Sequence, residues 1–594
     1  MGWDLPVTGT VAAHLLNGRE GRPVDLSDTL VITPTKQAGR ALRRELARLA
    51  AERGTAVIGA QVVPTSFLFS PEGAGPPVAG ALVETAAWIE TLQAAPASAV
   101  EPVFPGAGRR ESLWARQAAA SLQQLRSELC DGGESIRLIV ERHAERLEEG
   151  ERWRAMAELE RLYLARLAKA GRSDGCDAKI RSAARPRVKA EIRRLVVAAV
   201  PDPSLLALSA LRALAERLET TVLVQAPEEL AEAFDEWGRP RPEIWKDRRI
   251  DLEGGHEAIR IAQDAQAECR EVIRVIAESA GRFNAADLAV GVADPALTPH
   301  LQRALGAEGL EFSDPAEAPL AAHPVARLAN GFFTCRRERR FADVAEWLRL
   351  PDLLAALEVE AGATPHRVLA ELDDFRIRHL PVTLDDALEH FEDTRYRHPD
   401  RRPEAFAALG AALRWVERAL DPHHPAAERG VPLLQSVYRH QRVGQRTTQD
   451  RDFRSAAEAV MEAFAQVEEL KAAGFAPDDT EVTELLRDQI ASGTYSADRP
   501  AREHDLYGWL ELAWLPSPLL IVTGMREGAV PDTRVRDPFL PDTLRRQLGL
   551  RNDETRLARD AHLLTALAEQ RRGGGRLVIT FARTGGRGDP QKPS

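Results

Sequence analysis

The chain has 594 residues, 44% hydrophobic, 28% charged and 5% aromatic, a balance that excludes wholesale disorder and collagen-like repeats. At roughly 150 residues per domain, this length predicts about four domains. Lys and Arg total 79 against 90 Asp and Glu, a net charge of −11, which excludes a uniformly basic nucleic-acid coat but leaves room for a local basic groove.

Residues 29–35, TLVITPT, read as a short buried strand. The segment 36–53 follows with Ala38, Leu42, Leu46 and Leu49 at helical spacing, and Gly54 ends it. TAVIGAQVVPTSFLF then restarts extended structure, up to a Pro/Gly-rich joint at 71–80. From 81 to about 182 the pattern is nearly all helical, with Leu159, Leu162, Tyr163 and Leu167 keeping three-to-four spacing. IRRLVVAAV (192–200) returns as a strand, followed by Pro201–Pro203, the helix LLALSALRALAERL and the strand TTVLVQAP. Residues 239–257 are linker-like. IRIAQDAQAECREVIRVIAESA is a strand leading into an amphipathic helix, AADLAVGVADPAL a strand and turn, and LTPHLQRALGAEGLEF a helix then a strand. From about 335 to 500 the chain is again mostly helical, with Arg-rich joints at 395–404 and 439–454. PLLIVTG (518–524) and RLVITFA (576–582) give two further strands, with helix at 541–570 between them.

No repeat of 20–50 residues is visible. The order predicts an α/β fold with two RecA-like, P-loop-type domains, each interrupted by a mostly helical insertion, which is the arrangement of superfamily 1 helicases. The first RecA-like domain spans 1–75 and 186–250, with its insertion at 76–185. The second spans 251–340 and 501–594, with its insertion at 341–500. All but seven of the basic residues are arginine, a skew that most simply reflects coding bias, although the planar guanidinium suits phosphate contacts. Cys130, Cys176, Cys269 and Cys335 are far apart without a CxxC and read as ordinary thiols in a reducing cytoplasm. MGWDLPVTGT carries neither a basic n-region nor a long apolar h-region, and Pro6 sits where a myristoylation signal needs Ser or Thr. No run of about 18 apolar residues occurs, so no membrane partner is expected.

The chemistry of a helicase motor is missing. A phosphate-binding loop needs GxxxxGK[ST], and the dipeptide Gly-Lys occurs nowhere. Its expected position before the first strand holds GREGRPVDLSD (18–28). Asp202 follows the strand LVVAAV where a Mg²⁺-holding carboxylate would stand, but the second acid is absent, and an Asp in a Pro-flanked turn is the simpler reading. The only Glu-x-Lys of nuclease type, Glu469–Lys471, sits in a helical run. His423-His424 lies in a Pro-flanked turn and reads as solvated. No catalytic, ATP-binding or metal-ligating residue is assigned.

The most informative segment is 505–594. Its series GMREGAVP, DPFL, LRRQLGL, DETRLARDAHLLTAL, VITFAR and GDPQKPS resembles the B subunit of AddAB-type helicase–nucleases, the RecBCD-like machines of bacterial double-strand break repair. The part matched corresponds to helicase motifs V and VI. LVITPTKQAGRALRREL, IRRLVVAAVPDP and EAIRIAQDAQAECREVIRVI are similar to further parts of the Walker-less branch of that subunit.

This resemblance implies an inactivated helicase that guides single-stranded or forked DNA ends during resection for homologous recombination, beside an AddA-type motor subunit. It also implies a C-terminal PD-(D/E)XK nuclease. Mg²⁺ and an iron–sulfur cluster are expected only where that domain follows residue 594, and no cofactor is expected in this chain itself. The chain is expected to be a fragment. Candidate DNA contacts are Thr33, Thr35, Lys36 and Arg40 after the first strand, and Thr65, Ser66 and Phe67 after the next. Thr523, Arg526 and Glu527 flank the GMREG turn, and Arg583 follows the last strand. The alternatives are an active nuclease subunit completed beyond residue 594, and an assembly scaffold for the motor without its own DNA binding.

Overall fold

The structure, a computed structural model, describes all residues except 4, 20–22, 71–75, 109, 393–405, 440–443, 445–446, 498–503, 533–536 and 586–587. The Arg-rich joint at 395–404 lies outside the described residues, as do parts of 18–28, 71–80 and 439–454.

Two parallel sheets organise the chain. The first contains β1 (Thr29–Thr33), β2 (Gln61–Pro64), β3 (Arg194–Ala198) and β4 (Glu219–Leu223), in the order β2-β1-β3-β4. The runs TLVIT and LVVA are buried throughout because helices cover both faces, which is why they read as continuous rather than alternating apolar stretches. Val31, Val62 and Val196 pack under α1 (Val7–Leu16) and α2 (Lys36–Glu52). Leu30, Ile32, Leu195 and Val197 face the helix Leu205–Ala215 on the other side. The Thr35 side chain caps α2 by accepting from the Ala38 amide at 3.1 Å.

The second sheet has six strands: β5 (Ile259–Ala262), β6 (Leu288–Val292), β7 (Phe312–Ser313), β8 (His504–Gly508), β9 (Leu519–Thr523) and β10 (Arg576–Ala582). Their order is β5-β10-β9-β6-β8-β7, and all neighbours are parallel. The helix α3 (Ala265–Ser279) covers one face through Cys269, Val272 and Val275. The helix α4 (Asp553–Glu569) covers the other through Leu563 and Leu567. β8 is not among the predicted strands. Of its five residues only Leu506 is buried, so HDLYG carries too little apolar signal. The helix expected across 541–570 is two helices, Asp542–Gln547 and α4, separated at Gly549, which has φ +67°.

The helices between 81 and 169 and those between 324 and 492 share one apolar core, while Gly175–Ala184 packs on the first sheet through Ala183. Trp88 stacks on Tyr163 with ring centroids 4.2 Å apart, and Ala81–Ala94 packs on Thr448–Ala472. Arg116 bridges the two segments by pairing with Glu484 at 3.1 Å. The two stretches read from sequence as separate insertions thus form a single helical mass. No described helix is long and apolar enough to cross a membrane.

Candidate nucleic-acid interface

Beside the first sheet, the start of α2 and the edge strand β2 enclose a cavity of about 220 Å³. Lys36, Arg40 and Arg43 line it at helical spacing, over Val62, Val63 and Pro64. All three cations are exposed, and among the described residues none of them forms an ion pair. The Arg43 guanidinium donates to the Val62 carbonyl at 2.5 Å, which fixes it along the strand edge. Gly39 keeps the helix close: a Cβ there would lie 3.3 Å from both Thr33 Oγ1 and Val62 Cγ1. Pro64 leads into the short helix Thr65–Phe69, where Ser66 is exposed, Phe67 is 37% exposed and Thr65 is half-buried.

Two candidates on this edge have inward roles. Thr33 is fully buried, and its hydroxyl donates to the Thr35 carbonyl at 3.1 Å, so it closes the strand end at the wall of the cavity. Thr35 caps α2 and also meets Glu511 from the second α/β body. Burial pushes the Glu511 carboxyl up, and the Thr35 hydroxyl and Gly508 amide counter that rise.

At the corresponding edge of the second sheet most polar groups are consumed internally. Thr523 is buried, contrary to its expected role as a DNA contact. Its hydroxyl donates to Glu268 Oε1 at 2.9 Å, and the same oxygen accepts from the Gly524 amide at 2.7 Å and the Thr580 hydroxyl at 2.8 Å. Gly524 has φ +79°, and a Cβ there would lie 2.8 Å from the Asp294 amide nitrogen, so this turn admits only glycine. Arg526 is committed to Asp294 at 2.7 Å. Glu527 is exposed but carries the wrong charge for phosphate, and its amide donates to the Lys592 carbonyl at 2.9 Å. Arg583 is exposed, and its carbonyl accepts from the Gln591 amide at 2.7 Å. Residues 589–594 thus pair along both the GMREG turn and the end of β10.

Side chains cross the junction between the two bodies, beside a cavity of about 390 Å³ lined by Asp202, Arg239, Arg241, Arg551 and Arg556. Ala199, with φ 41°, turns the chain after β3 so that Asp202 faces the second body. Arg551 Nε lies 2.9 Å and Arg559 Nη1 3.3 Å from Asp202 Oδ2, and Arg551 also donates to the Asp202 carbonyl at 3.0 Å. Asp202 therefore lies in its Pro-flanked turn with two guanidiniums as partners. Trp514, from the connection between β8 and β9, is buried among Val7, Val11, Leu42 and Val196 of the first body. His562 of α4 lies edge-on to Phe234 and Trp245, with Nε2 3.0 Å from the Gln225 carbonyl. Complete burial pulls its imidazole down to about 4. The Met1 ammonium donates to the Val224 carbonyl at 2.9 Å and the Trp3 indole to the Gln225 carbonyl at 2.9 Å, so the N-terminus packs at the end of β4.

Among the described residues, no group of three or more His, Cys, Asp or Glu is placed to hold a metal, and the four cysteines are free thiols. Compared with protein-family models and with curated proteins, the chain matches none. Sequence reasoning missed Arg43 as a member of the cationic set, although its position seven residues after Lys36 puts it on the same face. It also missed the inter-body roles of Trp514 and Arg551, which carry no local signal.

Proposed function

We propose that this chain is a motor-less, helicase-like subunit that binds single-stranded or forked DNA and guides it, with its two α/β bodies acting as RecA-like domains. The carrying observation is the cavity of Lys36, Arg40 and Arg43 beside β2, three exposed cations without carboxylate partners among the described residues, with the exposed aromatic Phe67 in the short helix that follows β2. Cations for phosphates and an aromatic for base stacking are what sequence-tolerant single-strand binding requires. The contacts across the junction favour a static role. A translocating motor opens and closes the cleft between its two bodies, and here that would unseat Trp514 and break the Asp202–Arg551–Arg559 contacts. In keeping with the resemblance to AddAB-type B subunits, an AddA-type partner would supply ATP-driven movement during double-strand break resection.

The test is fluorescence anisotropy of the chain with single-stranded and forked DNA across a salt titration. Affinity should fall steeply with salt. The Lys36→Gln, Arg40→Gln, Arg43→Gln triple variant should flatten the logarithmic slope by about 2, at roughly 0.7 per phosphate contact. Absence of binding at low salt would overturn DNA handling by this chain. It would leave the second reading, a scaffold for the motor, which is favoured by Ile377, Leu380 and Val382, each about three-quarters exposed.

A further inference from the structure

At the amino ends of β5 and β10, on the far side of the second sheet from the GMREG turn, lies a cavity of about 300 Å³. Its wall includes Arg571, Arg282, Arg576 and Ser279. Arg571 is only 4% exposed, yet among the described residues no carboxylate pairs with it. Nη1 donates to the Leu567 carbonyl and the Gln570 side chain, both at 3.2 Å, while Nε has no partner. Burial without a counter-charge pulls this guanidinium down to about 10. Among the described residues Arg282 also has no carboxylate partner: it lies over the Phe283 ring at 5.0 Å and donates to the Gly574 carbonyl at 3.4 Å. Three acids border the same space. Glu278 is engaged by Arg260 and Arg576, Glu253 accepts from the Gly573 amide, and Glu257 is exposed.

A buried, uncompensated guanidinium is costly unless something anionic meets it. We infer that this cavity is a phosphate site, with Arg571 at its floor and Arg282 beside it, separate from the cationic cavity at α2. The shared ligand chemistry is a tetrahedral phosphate, either free inorganic phosphate or a terminal phosphate of DNA. Guanidinium forks match that geometry through paired N–H donors.

The experiment is ³¹P line broadening and thermal denaturation of the full chain with inorganic phosphate, against chloride at equal ionic strength. Saturable broadening and stabilisation are expected in the parent chain, with affinity reduced about tenfold or more in Arg571→Gln, as for loss of a charge-assisted hydrogen bond. Because a buried substitution can disturb folding, Arg282→Gln provides the second reading and should also weaken phosphate binding. A 5′-phosphorylated trinucleotide that displaces phosphate, where the 5′-hydroxyl form does not, assigns the site to a DNA end. Failure of both to displace it assigns it to free phosphate. No saturable phosphate effect in the parent chain, or an unchanged effect in both variants, overturns the proposal. The Lys36, Arg40, Arg43 triple variant should bind phosphate normally, so failure here and failure of DNA guiding are distinguishable.

Discussion

The carboxyl edges of the two sheets are built from similar residues and used differently. Each ends a buried strand on a threonine, Thr33 or Thr523, and each carries basic residues just beyond it. At the first edge the threonine is satisfied by its own turn, and Lys36, Arg40 and Arg43 remain open to solvent. At the second, Glu268 gathers three donors, Asp294 takes Arg526, and residues 589–594 lie along the loop. The contrast separates two uses of a strand end: open cations can bind something, whereas paired ones hold the fold.

The largest effect should come from the junction that holds the edges together. Trp514→Ala removes a buried indole from the first body's core and should cost about 3–5 kcal/mol, read as a lower denaturation midpoint. If the loss of stability is less than about 1 kcal/mol, the two bodies are not stapled there. Next is Glu268→Ala, which leaves two hydroxyls and an amide without their buried acceptor and should cost about 3 kcal/mol or more. Glu268→Gln keeps an acceptor oxygen and should recover much of that loss. Equal destabilisation by both substitutions would show that charge rather than hydrogen bonding matters at this edge.

The junction also has a pH signature. The folded state holds His562 near 4, below the ordinary value of about 6.5, so protons bind more readily to the unfolded chain. Its contribution is present above about 6.5 and is lost as pH falls toward 4, up to about 3 kcal/mol in all. Glu84 acts in the opposite sense. Burial, with the Asp174 charge beside it, raises its carboxyl to about 7, so its neutral form favours the fold at low pH and stability falls as pH rises from about 4.5 through 7. The two slopes overlap and partly cancel in the parent chain. The His562 component therefore appears in the difference between the parent chain and His562→Gln, which should grow with pH from 4 to 6.5. A flat difference would mean that the imidazole is solvated.

The legibility of these features in the sequence follows from how local their causes are. TLVIT and LVVAAV announce buried parallel strands because every residue is apolar or β-branched and helices flank both sides. β8 does not, because its place beside β6 is fixed by Leu506 and by partners more than 200 residues away. Lys36 and Arg40 are exposed with no acidic partner among the described residues, and short-range spacing suffices to find them. The burial of Thr523 is not legible because its acceptor, Glu268, lies 255 residues earlier. In sequence Glu268 is an ordinary acid in the first turn of an amphipathic helix, where the helix dipole alone would explain it. The merging of the two helical segments was illegible for the same reason: their patterns show that each has an apolar stripe, not that the stripes face each other.

The smallest expected effect is the one that best tests the contrast between the edges. Arg526→Gln removes a cation whose nearer partner is Asp294, in a partly exposed pair worth about 1 kcal/mol to stability. Because that guanidinium is already committed, its removal should leave DNA affinity within about twofold and the salt slope unchanged. A cation free to meet a phosphate would instead shift the slope by roughly 0.7. Measured beside Arg40→Gln, which should shift the slope without moving the denaturation midpoint, the pair forms a crossed comparison: one edge reads out in binding and the other in stability. If Arg526→Gln flattens the salt dependence as much as Arg40→Gln does, Asp294 gives up its partner when DNA arrives. The second edge would then be a ligand-gated part of the same groove rather than a structural seam.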